Sequence, residues 1–235
     1  LNFEKISNQE FVSIIERGIE LKNSNETEKT LKGKILGLVF EQPSTRTRVS
    51  FEVGINNLGG SSIFLSGSEL QLSRGEPISD TAKVLSSMLD VIVLRTDNHE
   101  KLEIFSQNSS VPIINGLTNS FHPCQIMADL MTFREVSKGK NLEKVCWIGD
   151  GNNVCNSYIE AAKLLNFELS IFCPKGYEPN ANILESSKKF VSLATNKEDA
   201  LRNADIVTTD VWTSMSSNTK LKDRKKIFKE FFVSP

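Results

Sequence analysis

An apolar run that ends at a proline constrains the fold of this chain more than any other sequence feature. The run covers residues 34–40, Lys-Ile-Leu-Gly-Leu-Val-Phe, and Pro43 follows after two intervening residues. Because proline has no backbone N–H for a strand ladder, we expect a strand to end here. A helix should follow, with Ser44 as its N-cap and one side buried, the apolar residues being Val49, Phe51, Val53, Ile55 and Leu58. The sequence therefore predicts a strand followed at once by a helix.

Hydroxyl and guanidinium side chains crowd the predicted start of this helix. They belong to Ser44, Thr45, Arg46, Thr47 and Arg48. Free N–H groups and the helix dipole attract an anion at such a position, and these side chains add further donors. We therefore predict a phosphate-binding segment. The alternative is an ordinary N-cap followed by solvent-exposed arginines.

Short apolar runs alternate with amphipathic helical patterns along the whole chain. This alternation predicts an α/β protein of two domains, each a mainly parallel sheet flanked by helices. A polar segment at residues 138–143 marks the boundary, so we expect domains at 1–137 and 138–235. Residues 90–94 form one apolar run, and Arg95 stands at its carboxyl end. Because open α/β sheets bind ligands at that end of their strands, Arg95 is a second candidate for the phosphate site.

The segment His122-Pro123-Cys124-Gln125 follows the predicted fourth strand and opens a helix. Neutral histidine and glutamine side chains can each form hydrogen bonds without adding charge to a site that is rich in arginine. Taken alone, these residues are an ordinary helix start. Taken with the arginines at the ends of neighbouring strands, they indicate a binding site.

A later strand in the second half ends at Asp210. A carboxylate at a carboxyl strand end suits an ammonium group, because pairing offsets the cost of removing both charges from water. The alternative is a cap for the next segment. Gly151 lies in a glycine turn between a strand and a helix, but a complete G-x-G-x-x-G is absent, so dinucleotide binding is only weakly indicated.

Composition excludes several classes of partner. The formal net charge is −1 and the isoelectric point is near 6.3, which gives no global attraction to nucleic acid or to an anionic membrane. No apolar run approaches the roughly 20 residues that span a bilayer. The four cysteines lack the spacing of a zinc site and are expected to be reduced thiols in a cytosolic or matrix-like compartment.

Four segments together resemble the aspartate/ornithine carbamoyltransferase family, and within it the ornithine-using members. They are Phe-Glu-Gln-Pro-Ser-Thr-Arg-Thr-Arg-Val-Ser-Phe-Glu at 40–52, then 71–76, Leu94-Arg95-Thr96 and His122 to Gln125. The resemblance implies transfer of a carbamoyl group from carbamoyl phosphate to the δ-amine of L-ornithine, giving L-citrulline and phosphate. It implies no cofactor and no metal ion. The role would be in arginine biosynthesis or arginine breakdown.

The resemblance also implies roles for particular residues. It makes Arg46, Arg95, His122 and Gln125 the catalytic residues. Contacts to carbamoyl phosphate are implied for these four and for Ser44, Thr45, Thr47, Arg48, Gln71, Pro123 and Cys124. Contacts to ornithine are implied for Asn153, Asp210, Ser214 and Met215. It further implies a homotrimer with shared active sites, no nucleic-acid or membrane partner, and a cytoplasmic location, or the mitochondrial matrix for a eukaryotic source.

Two departures from the family pattern leave alternatives open. Ser216, Ser217 and Asn218 stand where the family usually has Gly-Gln-Glu, and the chain stops at Pro235, before the family's later His-Cys-Leu-Pro segment. We therefore expect a second domain that is incomplete at its C-terminal end. One alternative is a truncated, non-catalytic carbamoyl-phosphate-binding protein. Others are a carbamoyltransferase with another amine acceptor and a nicotinamide-dependent oxidoreductase.

Overall fold

The computed structural model describes residues 1–24, 28–68, 70, 75–211 and 221–233, with the backbone alone at Leu221 and Lys222. Strands and helices alternate along these residues. In chain order they are α1 (Asn8–Asn23), β1 (Ile35–Phe40), α2 (Arg46–Asn57), β2 (Ser61–Ser66), α3 (Ile78–Ser86), β3 (Val91–Arg95), α4 (His99–Asn108), β4 (Ile113–Leu117), α5 (Pro123–Val136), β5 (Lys144–Ile148), α6 (Asn153–Leu165), β6 (Glu168–Phe172), α7 (Ala181–Ser187), β7 (Val191–Leu193), α8 (Lys197–Leu201), β8 (Ile206–Thr208) and α9 (Leu221–Ile227).

The chain divides into two compact units. The first contains Leu1 with Glu20–Asn119, and the second contains Asn2–Ile19 with Ser120–Pro235. The boundary predicted between residues 137 and 138 stays a prediction. None of the helices in the described part of the chain has the length and apolar character needed to cross a membrane.

The first unit is built on a parallel sheet with strand order β2-β1-β3-β4. Its central strand β1 is apolar throughout, and Leu38 and Val39 expose none of their surface. Such a continuous apolar strand is typical of a sheet covered on both faces. The core on one face includes Val39, Leu94 and Phe105, and the core on the other includes Leu38, Ile55 and Val93.

The second unit repeats the same plan, with a parallel sheet in the order β7-β6-β5-β8. Its largest core cluster contains Trp147 of β5, Tyr158 of α6 and Phe167, all fully or almost fully buried. Phe11 of α1 packs into this cluster, so the beginning of the chain completes the second core. The predicted fold class, two α/β units with parallel sheets flanked by helices, is confirmed.

The start of α2 differs from the prediction. Thr45 rather than Ser44 is the N-cap, and its φ of −90° and ψ of −59° are already helical. An N-cap normally has an extended backbone that turns its side chain toward the next N–H groups, and Thr45 makes no such hydrogen bond. The helix buries only part of the expected apolar set: Ile55 is 5% exposed, whereas Val49 and Val53 are 50% and 51% exposed.

One other difference is small: α8, which Asn196 caps through the N–H of Asp199, was not predicted. All four cysteines are free thiols, as expected.

Candidate functional site

The first unit has a topological switch point between β1 and β3. The chain passes from β1 to β2 on one side and then returns to place β3 on the other side of β1. Ligands of open α/β sheets bind in the crevice outside the carboxyl ends of the strands at such a point. Phe40 and Arg95, the last residues of these two strands, are paired in register. The predicted phosphate segment therefore follows one side of this crevice, and Arg95 stands on the other.

The helix that begins at this crevice has an N-terminus suited to an anion. Thr45 provides no side-chain cap, and the first backbone bond inside the helix runs from the N–H of Val49 to the Thr45 carbonyl. Backbone N–H groups in the first turn of a helix lack partners within the helix, and the dipole makes this end positive. Arg46 is exposed at this point, and no residue in the described ranges forms an ion pair with it. Ser44 and Thr47 are half-buried beside it.

Arg48 is held within its own unit. Its Nε donates to Glu52 Oε1 at 2.9 Å, and its guanidinium carbon lies 3.6 Å from the centre of the Phe64 ring. The stacking and the ion pair together fix the plane of the guanidinium. Its predicted contact with carbamoyl phosphate stays a prediction.

Arg95 is 8% exposed at the end of β3, and burial lowers its pKa from the usual value. An arginine remains charged at neutral pH even so. Gly116 of β4 lies against β3 near Arg95. A Cβ atom at Gly116 would come within 2.8 Å of Val93 Cγ1 and 3.5 Å of Arg95 Cβ. Strand β3 therefore ends in a buried cation that packs against the neighbouring strand at its Cβ.

Glu41 connects the two strand ends, a feature that the sequence did not reveal. Its N–H donates to the Arg95 carbonyl at 2.9 Å. Its carboxylate accepts hydrogen bonds from the Thr96 hydroxyl, which is fully buried, and from Lys101 Nζ at 3.1 Å. The only signal in the sequence was an acidic residue between an apolar strand and Pro43.

The second unit has its own switch point, between β5 and β8. The chain runs from β5 through β6 to β7 on one side, and β8 then pairs with the free side of β5. Asn152 follows β5 and caps α6, because its Oδ1 accepts from the N–H groups of Val154 at 3.0 Å and Cys155 at 3.1 Å. Its Nδ2 donates to Asp210 Oδ2 at 2.8 Å. The cap thus holds Asp210 at the end of β8.

A second carboxylate lies at the same strand ends. Asp150 forms an ion pair with Arg224, which is 3% exposed. The guanidinium carbon of Arg224 lies 5.0 Å from the centre of the Tyr177 ring and 5.1 Å from the centre of the Phe228 ring. Burial raises the pKa of Asp150, Arg224 opposes the change, and the charge of Asp210 adds to it. In the described part of the chain Asp150 is thus paired with Arg224, whereas no cation forms an ion pair with Asp210.

The segment that opens α5 is fixed to α6. His122 is the N-cap of α5 and is 8% exposed, and its backbone N–H donates to Ser157 Oγ at 2.8 Å. The Ser157 hydroxyl donates to the Asn153 carbonyl at 3.1 Å, so the starts of α5 and α6 are linked. Burial raises the pKa of the Cys124 thiol to about 11, which keeps it neutral at physiological pH. Pro123 occupies the first position of the helix.

The structure thus groups the predicted residues within each unit. Ser44 to Arg48 and Arg95 flank the first switch point, whereas Asp210 lies at the second and Asn153 begins the helix that follows β5. Gln71, Ser214 and Met215 lie outside the described residues. The part of the chain that the structure describes contains no group of three or more His, Cys, Asp or Glu side chains arranged to hold a metal ion.

Two family models match this chain. Residues 1–135 match "Aspartate/ornithine carbamoyltransferase, carbamoyl-P binding domain", and residues 141–235 match "Aspartate/ornithine carbamoyltransferase, Asp/Orn binding domain". Together they cover nearly the whole chain. The family resemblance inferred from the four motifs is confirmed.

Individual relatives agree with the family models. A protein of Acinetobacter baumannii named ornithine carbamoyltransferase is 50% identical over 100% of this chain and 78% of its own length. One of the same name from Methylococcus capsulatus is 50% identical over 97% of this chain and 77% of its own length. The crystal structure of anabolic ornithine carbamoyltransferase from Campylobacter jejuni superimposes with a TM-score of 0.92 at 39% identity, over 99% of this chain and 79% of that one.

Proposed function

We propose that this chain, which belongs to the aspartate/ornithine carbamoyltransferase family, transfers a carbamoyl group from carbamoyl phosphate to the δ-amine of L-ornithine. The products are L-citrulline and phosphate. The observation that carries the proposal is the first switch point, where β1 leads to the helix start without a side-chain cap at Arg46 and the paired strand β3 ends at Arg95. The names of the relatives support ornithine as the acceptor.

The first unit supplies the groups that hold the phosphate. Arg46, the hydroxyls of Ser44, Thr45 and Thr47, and the N–H groups of the helix start bind the oxygen atoms of the dianion. As the carbon–oxygen bond to phosphate breaks, negative charge grows on the leaving group, and these donors stabilise it. Catalysis of this kind comes from orientation and preorganised charge, with no covalent intermediate. Arg48 and Gln71 complete the contacts to carbamoyl phosphate.

The carbamoyl group is polarised and oriented by further side chains. Arg95 and His122 hydrogen-bond to the carbamoyl oxygen, and Gln125 holds the carbamoyl amine, with Pro123 and Cys124 shaping the turn between them. The neutral δ-amine of ornithine attacks the carbonyl carbon, and the departing phosphate takes the proton that the nitrogen loses.

The second unit supplies the acceptor site. Asp210 carries the charge that suits an ammonium group, and Asn152 holds its carboxylate in place. Asn153, Ser214 and Met215 are the remaining residues assigned to ornithine. The family relationship supports a homotrimer with shared active sites and a cytoplasmic location.

Arg46→Ala tests the phosphate site. Removing a guanidinium that forms charged hydrogen bonds to phosphate costs about 3 kcal/mol or more, so the affinity for carbamoyl phosphate should fall about a hundredfold or more. The measurement is titration with carbamoyl phosphate beside citrulline formation. Arg202→Ala is the matched control, because Arg202 is an exposed arginine paired with Asp199 in the other unit. Unchanged affinity in Arg46→Ala would show that the phosphate binds elsewhere.

The same assays separate the alternatives. Carbamoyl-phosphate binding without any citrulline formation would indicate a non-catalytic binding protein. Product formed from another amine, with ornithine inactive in the same panel, would indicate a different carbamoyltransferase.

A further inference from the structure

Three side chains form a continuous hydrogen-bonded chain behind the start of α5. Gln125 Nε2 donates to Asp129 Oδ1 at 2.8 Å, and the Tyr158 hydroxyl donates to Asp129 Oδ2 at 2.8 Å. Gln125 and Asp129 are four residues apart on α5 and therefore share one face of the helix. Tyr158 exposes none of its surface in the core of the second unit, and Thr208 at the end of β8 hydrogen-bonds its hydroxyl.

The chemistry of these groups sets the direction of the whole chain. An ionised carboxylate can only accept hydrogen bonds, whereas a carboxamide has one donating and one accepting end. Because Asp129 uses one oxygen for the buried phenol, its other oxygen is fixed toward Gln125. The Gln125 amide must then turn its nitrogen to Asp129. The accepting end, Oε1, forms no hydrogen bond with any residue in the described part of the chain, and Gln125 is an exposed residue.

We propose that Asp129, held by Tyr158, is a positioning residue that orients the Gln125 carboxamide so that Oε1 faces the substrate and accepts a hydrogen bond from the carbamoyl amine. This inference rests on the proposed function. Asp129 touches neither substrate and acts only through Gln125. Sequence reasoning missed it, although an acidic residue in a mainly apolar helical pattern, four positions after Gln125, was a visible signal.

The arrangement selects an acyl group that carries N–H donors. Carbamoyl phosphate offers an amine to Oε1, whereas acetyl phosphate has a methyl group at the same place. Once a bound acyl phosphate shields Oε1 from water, an acceptor without a donor is costly, so the oriented amide discriminates between the two acyl phosphates. If the amide turned over, its nitrogen would face the amine, and the preference would disappear.

Asp129→Asn tests this role, because asparagine keeps the shape of the side chain but can donate to Gln125 Oε1 and so permit the turned amide. We expect the KM for carbamoyl phosphate to rise about tenfold, through loss of about one hydrogen bond. The inhibition constant of acetyl phosphate should change by less than threefold. The ratio of this inhibition constant to the KM for carbamoyl phosphate therefore falls. Asp223→Asn, the same change at an exposed carboxylate of the second unit, should leave both constants unchanged.

A double-mutant cycle with Gln125→Ala separates positioning from general damage to the helix. If Asp129 acts through Gln125, then Asp129→Asn has no further effect on the KM for carbamoyl phosphate in the Gln125→Ala background. Additive effects, or equal loss of affinity for both acyl phosphates, would overturn the inference. Tyr158→Phe removes only the hydroxyl behind Asp129 and should shift the ratio in the same direction by a smaller factor.

Failure of the proposed function would look different. A wild-type protein that neither binds carbamoyl phosphate nor forms citrulline refutes the function, and the role of Asp129 with it. An active wild type with an additive cycle refutes the role of Asp129 alone. Circular dichroism and the thermal midpoint of each variant establish that it is folded before the constants are compared.

Discussion

Asn152 performs two tasks with the two ends of one amide, and two substitutions can separate them. Its oxygen caps α6 through two backbone N–H groups, and its nitrogen donates to Asp210. Asn152→Ala removes both ends. Asn152→Asp keeps the oxygen that caps the helix but places a second carboxylate oxygen where the nitrogen was, 2.8 Å from Asp210 Oδ2.

The alanine variant should lose about 2 kcal/mol of unfolding free energy. Loss of an N-cap side chain costs about 1 kcal/mol. Asp210 loses a donor as well, and because it is half-buried, water replaces part of that interaction, which leaves about another 1 kcal/mol. The substitution introduces no titratable group, so we expect the deficit to be the same at pH 5 and at pH 8.

The aspartate variant should behave differently with pH. Two carboxylates in contact cannot both ionise freely, so the pKa of the introduced carboxyl in the folded protein is raised by about 2 units above its unfolded value near 4. A raised carboxyl pKa lowers stability as pH rises from the unfolded value to the folded one. Relative to the wild type, the unfolding free energy should be nearly unchanged at pH 4 and about 2–3 kcal/mol lower at pH 8. The charged carboxylate is also a better N-cap, which offsets about 0.5 kcal/mol of this loss.

Urea unfolding measured by tryptophan fluorescence reports these changes, because Trp147 is fully buried in the core of the second unit. Each variant is compared with the wild type at pH 4, 5, 7 and 8. A deficit in Asn152→Asp that does not change with pH would show that the pair with Asp210 does not exist in solution. A deficit in Asn152→Ala well below 1 kcal/mol would show that the cap carries little of the stability of α6.

Two further stability predictions follow from packing and burial. Gly151→Ala should destabilise the protein by about 3 kcal/mol, because the new Cβ would lie 2.3 Å from Pro179 N. Gly54→Ala should stabilise it by about 0.5 kcal/mol, because a Cβ in this helix would meet no atom within 4 Å. Urea unfolding measures both changes. Burial raises the pKa of Glu160 to about 7, so this residue lowers the stability of the protein as pH rises from 4.5 to 7. Glu160→Gln should therefore gain about 2 kcal/mol of unfolding free energy at pH 8 and nothing at pH 4, as measured by thermal melts. An equal effect at both pH values would contradict the assigned burial.

The fold could be predicted from the sequence because each strand is a short apolar run between helical patterns. The strands at 35–40 and 91–95 agree with the predicted runs 34–40 and 90–94 to within one residue, and the parallel pairing follows from the helix between consecutive strands. The exact helix start could not be predicted. Whether Ser44 or Thr45 caps α2 depends on the residue at which the backbone becomes helical after Pro43. The residue preferences for N-caps do not distinguish serine from threonine clearly enough to decide this.

The candidate site could be predicted only where residue type and strand end coincide. Arg46, Arg95 and Asp210 satisfy this condition and stay predictions, and the motifs around the two arginines helped to identify the family. Asp129, Glu41 and Asn152 escaped because their roles depend on partners that are distant in sequence. Asp129 meets Tyr158 across 29 positions, and Glu41 meets Thr96 across 55. No spacing rule within one element reveals such pairs.

The two switch points show how one architecture can favour ligands of opposite charge. In both units a helix begins where a strand ends, which by itself favours an anion. At the first switch point the helix start remains uncapped and an arginine follows it. At the second, Asn152 satisfies two of the N–H groups and its other end holds Asp210. Because the cap removes the donors and adds a carboxylate, the same backbone geometry becomes a place for an ammonium group. We infer that capping, rather than topology, sets the ligand charge that each helix start favours.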